Sequence, residues 1–172
     1  AKSKYLGEKY VQDHSSDYLV CRAGWMMGGG PRKDKKFIQK LMCQLADGAD
    51  ELFIVNDKLG TPTYTQDFAR NVKILIEKGK VGLYNMVCKG EASRFDLACE
   101  LVNQLGINGT VKINDVGSDY FQKEYFAPRP ASERLINARL HKESLDVMRD
   151  WKTSLSEYIS ESYSEPVTKE SV

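Results

Sequence analysis

Trp25, Arg32, Arg129 and the segment Gly60-Thr61-Pro62-Thr63-Tyr64 are the residues of this chain best suited by type to hold a polar ligand. An indole face suits the apolar C–H face of a pyranose ring. An arginine fork bonds two oxygens of a diphosphate at once. Arg129 stands in Ala127-Pro-Arg-Pro-Ala-Ser132, and Arg32 opens the basic run Arg32-Lys33-Asp34-Lys35-Lys36 behind three glycines, 28–30. Those glycines follow a strand pattern and precede a helix, but they lack the G-x-G-x-x-G spacing of a dinucleotide fingerprint. They read as a flexible loop beside a ligand, with Arg32 and Lys33 in reach of a diphosphate. Pro62 fixes the backbone and holds Thr61 extended. Each feature also has a plainer reading: a core tryptophan, a solvated basic loop, a surface ion pair at Arg129, an architectural turn at Pro62.

The elements that must position these residues alternate strand and helix. Tyr5, Leu6, Tyr10 and Val11 repeat at helical spacing within residues 2–14. Tyr18–Ala23 is a short β-favouring run that Trp25 closes. Phe37, Ile38, Leu41, Met42 and Leu45 predict a helix ended by Gly48. Glu51–Val55 predicts a strand, and a helix capped by Thr65 or Asp67 should run to about Lys78. Val81–Val87 predicts a strand, Ser93 the cap of a helix closed by Gly106, and Val111 with Ile113 an exposed edge strand. Arg134–His141 and Leu145–Ile159 carry further helical spacing. This order predicts an α/β layer with partly parallel strands. Residues 161–172 read as a loose polar tail behind one folded unit, 1–160.

Taken in order, Lys4-Tyr-Leu-Gly-Glu8, Tyr18–Trp25, Asp57–Tyr64 with Asp67, Gly82–Val87 and Ala127–Ser132 resemble the C-terminal half of the extended short-chain dehydrogenase/reductases. Within that group the likeness runs to the dTDP-4-dehydrorhamnose reductases. The resemblance implies the C-terminal part of an NAD(P)-binding Rossmann-like fold with its small substrate-binding subdomain. It implies an NAD(P)H-dependent reductase of a 4-keto nucleotide sugar, with NADP or NAD as cofactor. Lys4 stands where the family has the lysine of a Tyr-x-x-x-Lys pair, which lowers the pKa of the tyrosine acid and holds the nicotinamide ribose. The tyrosine would lie one residue before Ala1. Lys4 is thus the implied catalytic and cofactor-binding residue, and Trp25, Arg32, Thr63 and Arg129 the implied substrate-binding residues. The family pattern after Arg-Pro-x-x-Ser departs here into Glu133-Arg134-Leu135-Ile136-Asn137, which touches substrate identity more than fold. An epimerase or dehydratase of the same superfamily, or a non-catalytic binding subunit on this fold, remain the alternatives.

Composition narrows the classes. The chain has 172 residues, 41% hydrophobic and 28% charged, with a formal net charge of +1. That balance gives no bulk attraction to nucleic acid or an anionic membrane. No apolar run approaches the ~20 residues of a membrane span. Two histidines and four scattered cysteines without a CxxC pair signal neither a metal site nor a redox dithiol. The cysteines read as buried small hydrophobes in a reducing, cytoplasmic setting. Read as a fragment, this stretch is expected to be inactive and free of NAD(P), because the phosphate-cradling glycine loop is not in it. It is also expected to self-associate as a homo-oligomer through an edge at Tyr18–Ala23.

Overall fold

The computed structural model describes residues 2–121, 123 and 129–163. Helix α1 spans Lys2–His14 and buries no residue. Its apolar stripe forms as the spacing predicts but lies open to solvent, with Tyr10 65% exposed. Glu8 ties the helix to the sheet by accepting from Arg22 through both carboxylate oxygens.

Strand β1 (Leu19–Arg22) does not run on to Trp25. A separate strand, β2, takes Trp25–Met27. The break has a local cause. Gly24 N–H donates to Thr63 Oγ1 and Trp25 N–H donates to the Thr61 carbonyl. The chain therefore changes partner at Gly24. A one-turn helix α2 (Gly30–Lys33) follows the glycines, then α3 (Phe37–Ala46) and β3 (Glu51–Val55). Strands β4 (Leu59–Gly60) and β5 (Pro62–Tyr64) lead into α4 (Thr65–Glu77). Next come β6 (Gly82–Asn85), β7 (Ala92–Ser93) and α5 (Arg94–Gln104). The remaining elements are β8 (Lys112–Val116), β9 (Ser132–Glu133), α6 (Ala138–Lys142) and α7 (Trp151–Ser162).

The three longest pairings are parallel: β1 with β6, β2 with β5, β3 with β8. Parallel strands need crossover connections, and helices supply them here. A short mixed sheet, β7-β4-β9, lies outside this set, with β4 antiparallel to β7 and parallel to β9. The mixed α/β architecture agrees with the expected class. Leu41, Leu52, Leu75, Tyr84, Met86, Leu101, Leu140, Met148 and Leu155 make up its most buried layer.

Ser93 caps α5 in a full capping box, accepting from Asp96 N–H while Asp96 accepts from Ser93 N–H. The expected cap of α4 is different. Tyr64 holds the cap position and gives no side-chain bond. Asp67 instead turns inward, 1% exposed, where it accepts from Arg149 and from Ser154 Oγ.

The helices expected over Arg134–His141 and Leu145–Ile159 both start later. Residues 134–137 are held off helix because Asn137 bonds both backbone groups of Val87 and because Thr61 Oγ1 accepts from Leu135 N–H. Residues 145–149 are held off helix by Asn71, whose amide bonds the Leu145 carbonyl and the Val147 N–H. Asp150 then caps α7. That helix runs to Ser162, past the expected start of the tail, and Tyr163 is buried with its hydroxyl donating to Gln39. Residues 164–172, the rest of the expected tail, lie outside the described residues.

The four thiols are free, Cys88 buried and Cys21, Cys43 and Cys99 half-buried. Burial pushes the thiols of Cys21, Cys88 and Cys99 up, away from the reactive thiolate. Among the described residues, no helix is long and apolar enough to cross a membrane.

Candidate functional site

Trp25 opens β2, opposite Pro62 of β5 in the parallel register. Its indole Nε1–H donates to Glu133 Oε2 at 2.8 Å. Glu133 belongs to β9, which β4 holds in place. The Arg94 guanidinium, at the start of α5, lies 3.9 Å from the Trp25 ring centroid and 4.9 Å from that of Phe37. Such a cation over an aromatic face is held by the ring quadrupole and loses hydration. Burial lowers the Arg94 pKa to about 10, the Glu133 carboxylate opposes this, and the Arg129 charge adds to it. Trp25, Arg94 and Glu133 thus form one cluster with one cation and one carboxylate.

Of the sequence candidates, Trp25 stands in this cluster. Arg129 is exposed, and its neighbours Ala127 and Pro128 lie outside the described residues. Thr63 serves the cluster from beneath. Its side chain is fully buried and its hydroxyl accepts from Gly24 N–H at 3.0 Å, one residue before Trp25. This fixes where β2 starts and therefore where the indole stands. Arg32 is exposed on α2, at the far end of β2, where Gly30 faces Ser162 of α7. No contact joins Arg32 to the Trp25 cluster among the described residues.

Lys4 is exposed on α1, with no hydrogen bond or ion pair among the described residues. Glu8, one turn on, would be its natural partner, but Glu8 is committed to Arg22. The Lys4 ammonium therefore stays available to a ribose hydroxyl or a phenolic oxygen. Arg22 leads over three residues into Trp25, which links the Lys4 helix to the cluster through the backbone.

Sequence reasoning missed Arg94 and Glu133. Arg94 sits between a capping serine and a helical face, and nothing in its neighbours marks it. Gly60 does carry a signal, as the glycine before Thr-Pro-Thr. A Cβ at Gly60 would overlap the indole ring of Trp25. We expect Gly60→Ala to displace the indole and break its bond to Glu133. The Trp25 component of near-ultraviolet circular dichroism should then collapse, and an unchanged spectrum would remove this close approach.

A second cluster lies apart, where α4 meets α7. Arg149 contacts Asp67 through Nε and Nη2 at 3.0 and 2.8 Å and also pairs with Glu157, while Arg70 contacts Asp67 at 3.1 Å. It bridges elements that are distant in sequence, so its role is to lock α4 against α7.

Residues 1–164 match the family model described as the RmlD substrate binding domain. Among curated proteins, a dTDP-4-dehydrorhamnose reductase of Mycolicibacterium smegmatis is 30% identical over 92% of this chain and 47% of its own length. Among solved structures, a dTDP-4-dehydrorhamnose reductase of Clostridium acetobutylicum superposes with a TM-score of 0.82 at 36% identity, over 92% of this chain and 54% of that one. One from Bacillus anthracis, in complex with NADP, gives a TM-score of 0.81 at 26% identity, over 93% and 54%. The chain spans about half the length of the curated relatives it matches.

Proposed function

Because the chain belongs to the RmlD substrate-binding domain family, we propose that it provides the sugar-binding half of an NADPH-dependent reductase acting on a 4-keto nucleotide sugar. One observation carries this reading. The Trp25 indole donates to Glu133, 108 positions on, and the Arg94 guanidinium lies over its ring, in a chain that matches the family from residue 1 to 164. An aromatic ring beside arginine forks is the chemistry that a deoxysugar diphosphate needs.

In this reading Lys4 is the residue of this chain that reaches the cofactor. Its ammonium is exposed and uncommitted, which fits a group that must bond ribose hydroxyls. A bound nicotinamide supplies the hydride. Lys4 holds the ribose and stabilises the phenolate of a tyrosine one helical turn before it, so that the tyrosine proton passes to the developing alkoxide. Trp25 and Arg129 line the sugar and diphosphate side. Thr63 acts through Gly24 rather than by touching ligand, and Arg32 reaches a ligand only where one extends along β2 to its far end. A cytoplasmic setting follows from the need for NADPH and a nucleotide sugar together.

The test is oxidation of NADPH by the intact protein, followed at 340 nm, with a dTDP-4-keto-6-deoxyhexose as substrate. Turnover that depends on both reactants supports the reading. Stoichiometric hydride return without net NADPH loss would point to an epimerase, and no consumption of either reactant would leave a binding subunit.

A further inference from the structure

The Trp25 indole is closely packed: a Cβ at Gly60 would overlap Cδ2, Cε2 and Cζ2. The Arg94 guanidinium carbon lies 3.9 Å from the ring centroid. Phe37 flanks the same guanidinium at 4.9 Å.

Ring stacking uses the flat face of a guanidinium and leaves its in-plane N–H donors available. Among the described residues, no hydrogen bond or ion pair engages those donors. Glu133 is the nearby counter-charge, yet one of its oxygens accepts from Trp25 Nε1 at 2.8 Å. The Arg94 guanidinium is partly desolvated and oriented by two rings.

We propose that Arg94 is the oxyanion-binding residue of this site, holding a ligand that presents two oxygens to its fork. The oxyanion is either the diphosphate of a nucleotide sugar or a carboxylate on the sugar. Only the first of these sources rests on the reading proposed above. A partly desolvated guanidinium gains more from such a partner than an exposed one does, because less water must be displaced on binding. Burial lowers the Arg94 pKa to about 10, so the group stays charged at neutral pH.

The experiment is titration calorimetry with inorganic pyrophosphate, dTDP and glucuronate as separate probes, on the wild type and on Arg94→Gln, Arg94→Lys and Lys73→Gln. We expect at least a tenfold weaker Kd for Arg94→Gln, partial recovery in Arg94→Lys, and no change in Lys73→Gln, an exposed residue of α4 paired with Glu77. Pyrophosphate and dTDP binding identifies the diphosphate source, and glucuronate binding alone identifies the carboxylate. Thermal midpoints check that the variants fold. On the wild type itself, the Trp25 indole N–H resonance should shift as the bound probe accumulates. No binding of any probe, an unmoved resonance, or equal affinity in Arg94→Gln would overturn the proposal. Oxyanion binding through Arg94 without turnover by the intact protein would instead remove only the reductase reading. Turnover with an Arg94→Gln variant that binds dTDP normally would remove only this one.

Discussion

Lys4→Met in the intact protein is expected to lower kcat by about 100-fold or more, with a smaller change in the KM for the sugar nucleotide. The substitution keeps the length and apolar stem of the side chain and removes only the ammonium. Because Lys4 is exposed and pairs with no described residue, its loss breaks no contact that holds α1. The helix is tied through Glu8 and Arg22 instead, and those remain. Stability should therefore be unchanged while turnover falls. A structural lysine would give the reverse pattern. The pH profile supplies a second readout. Without the ammonium the phenol partner titrates higher, so the pH at which it ionises should move up. A kcat within a factor of a few of wild type, with an unmoved profile, would take the catalytic role away from Lys4.

Asp67→Asn is expected to destabilise the fold by about 3 kcal/mol, the lower end for breaking a buried ion pair. Asp67 is 1% exposed and receives Arg149, Arg70 and Ser154. The amide keeps the shape but removes the charge that Arg149 faces. Glu157 still pairs with Arg149, which is why the lower end applies. For a chain of this size that loss lowers Tm by roughly 10 °C. The exposed pair Lys73–Glu77 offers the contrast: Lys73→Ala should cost less than about 0.5 kcal/mol. The same network gives a pH dependence. The bond from Arg149 holds the Glu157 carboxyl below its ordinary value, with burial opposing. Its contribution is therefore complete above the unfolded carboxylate pKa and is lost as pH falls through the lower folded value. Denaturant melts of the two variants from pH 7 down to pH 3 check both parts. Equal midpoints for Asp67→Asn and wild type would show that the network adds no stability.

Where the sequence could be read, local chemistry and local structure agreed. The helix at Phe37–Ala46 and the strand at Glu51–Val55 have clean apolar periods, and the Ser93 capping box needs only three residues of context. The misread segments depend on distant partners. Leu145 to Arg149 has helical spacing, but Asn71 bonds its backbone from 74 positions away. Residues 134–137 read as helix until Asn137 and Thr61 pin them to the sheet. A hydrophobic period records burial on one face, and an extended segment crossing a core buries residues at similar intervals. The carboxylate of Asp67 looked like a cap because capping is local, whereas its real partner, Arg149, lies 82 positions on.

The residue order by itself determined the α/β class, the family resemblance and the candidates Lys4, Trp25 and Arg129. These rest on short motifs whose backbone demands are local: a proline before a helix, a tryptophan at a strand end, a lysine on a helical turn. Tertiary structure alone decided where these side chains stand. It left Arg32 at the other end of β2 from Trp25 and gave the Thr63 hydroxyl to Gly24 N–H. It also brought in Arg94 and Glu133, which no spacing marks. The physical reason is the topology. Parallel pairing of β2 with β5, and the short β7-β4-β9 sheet, place strand ends together that are far apart along the chain.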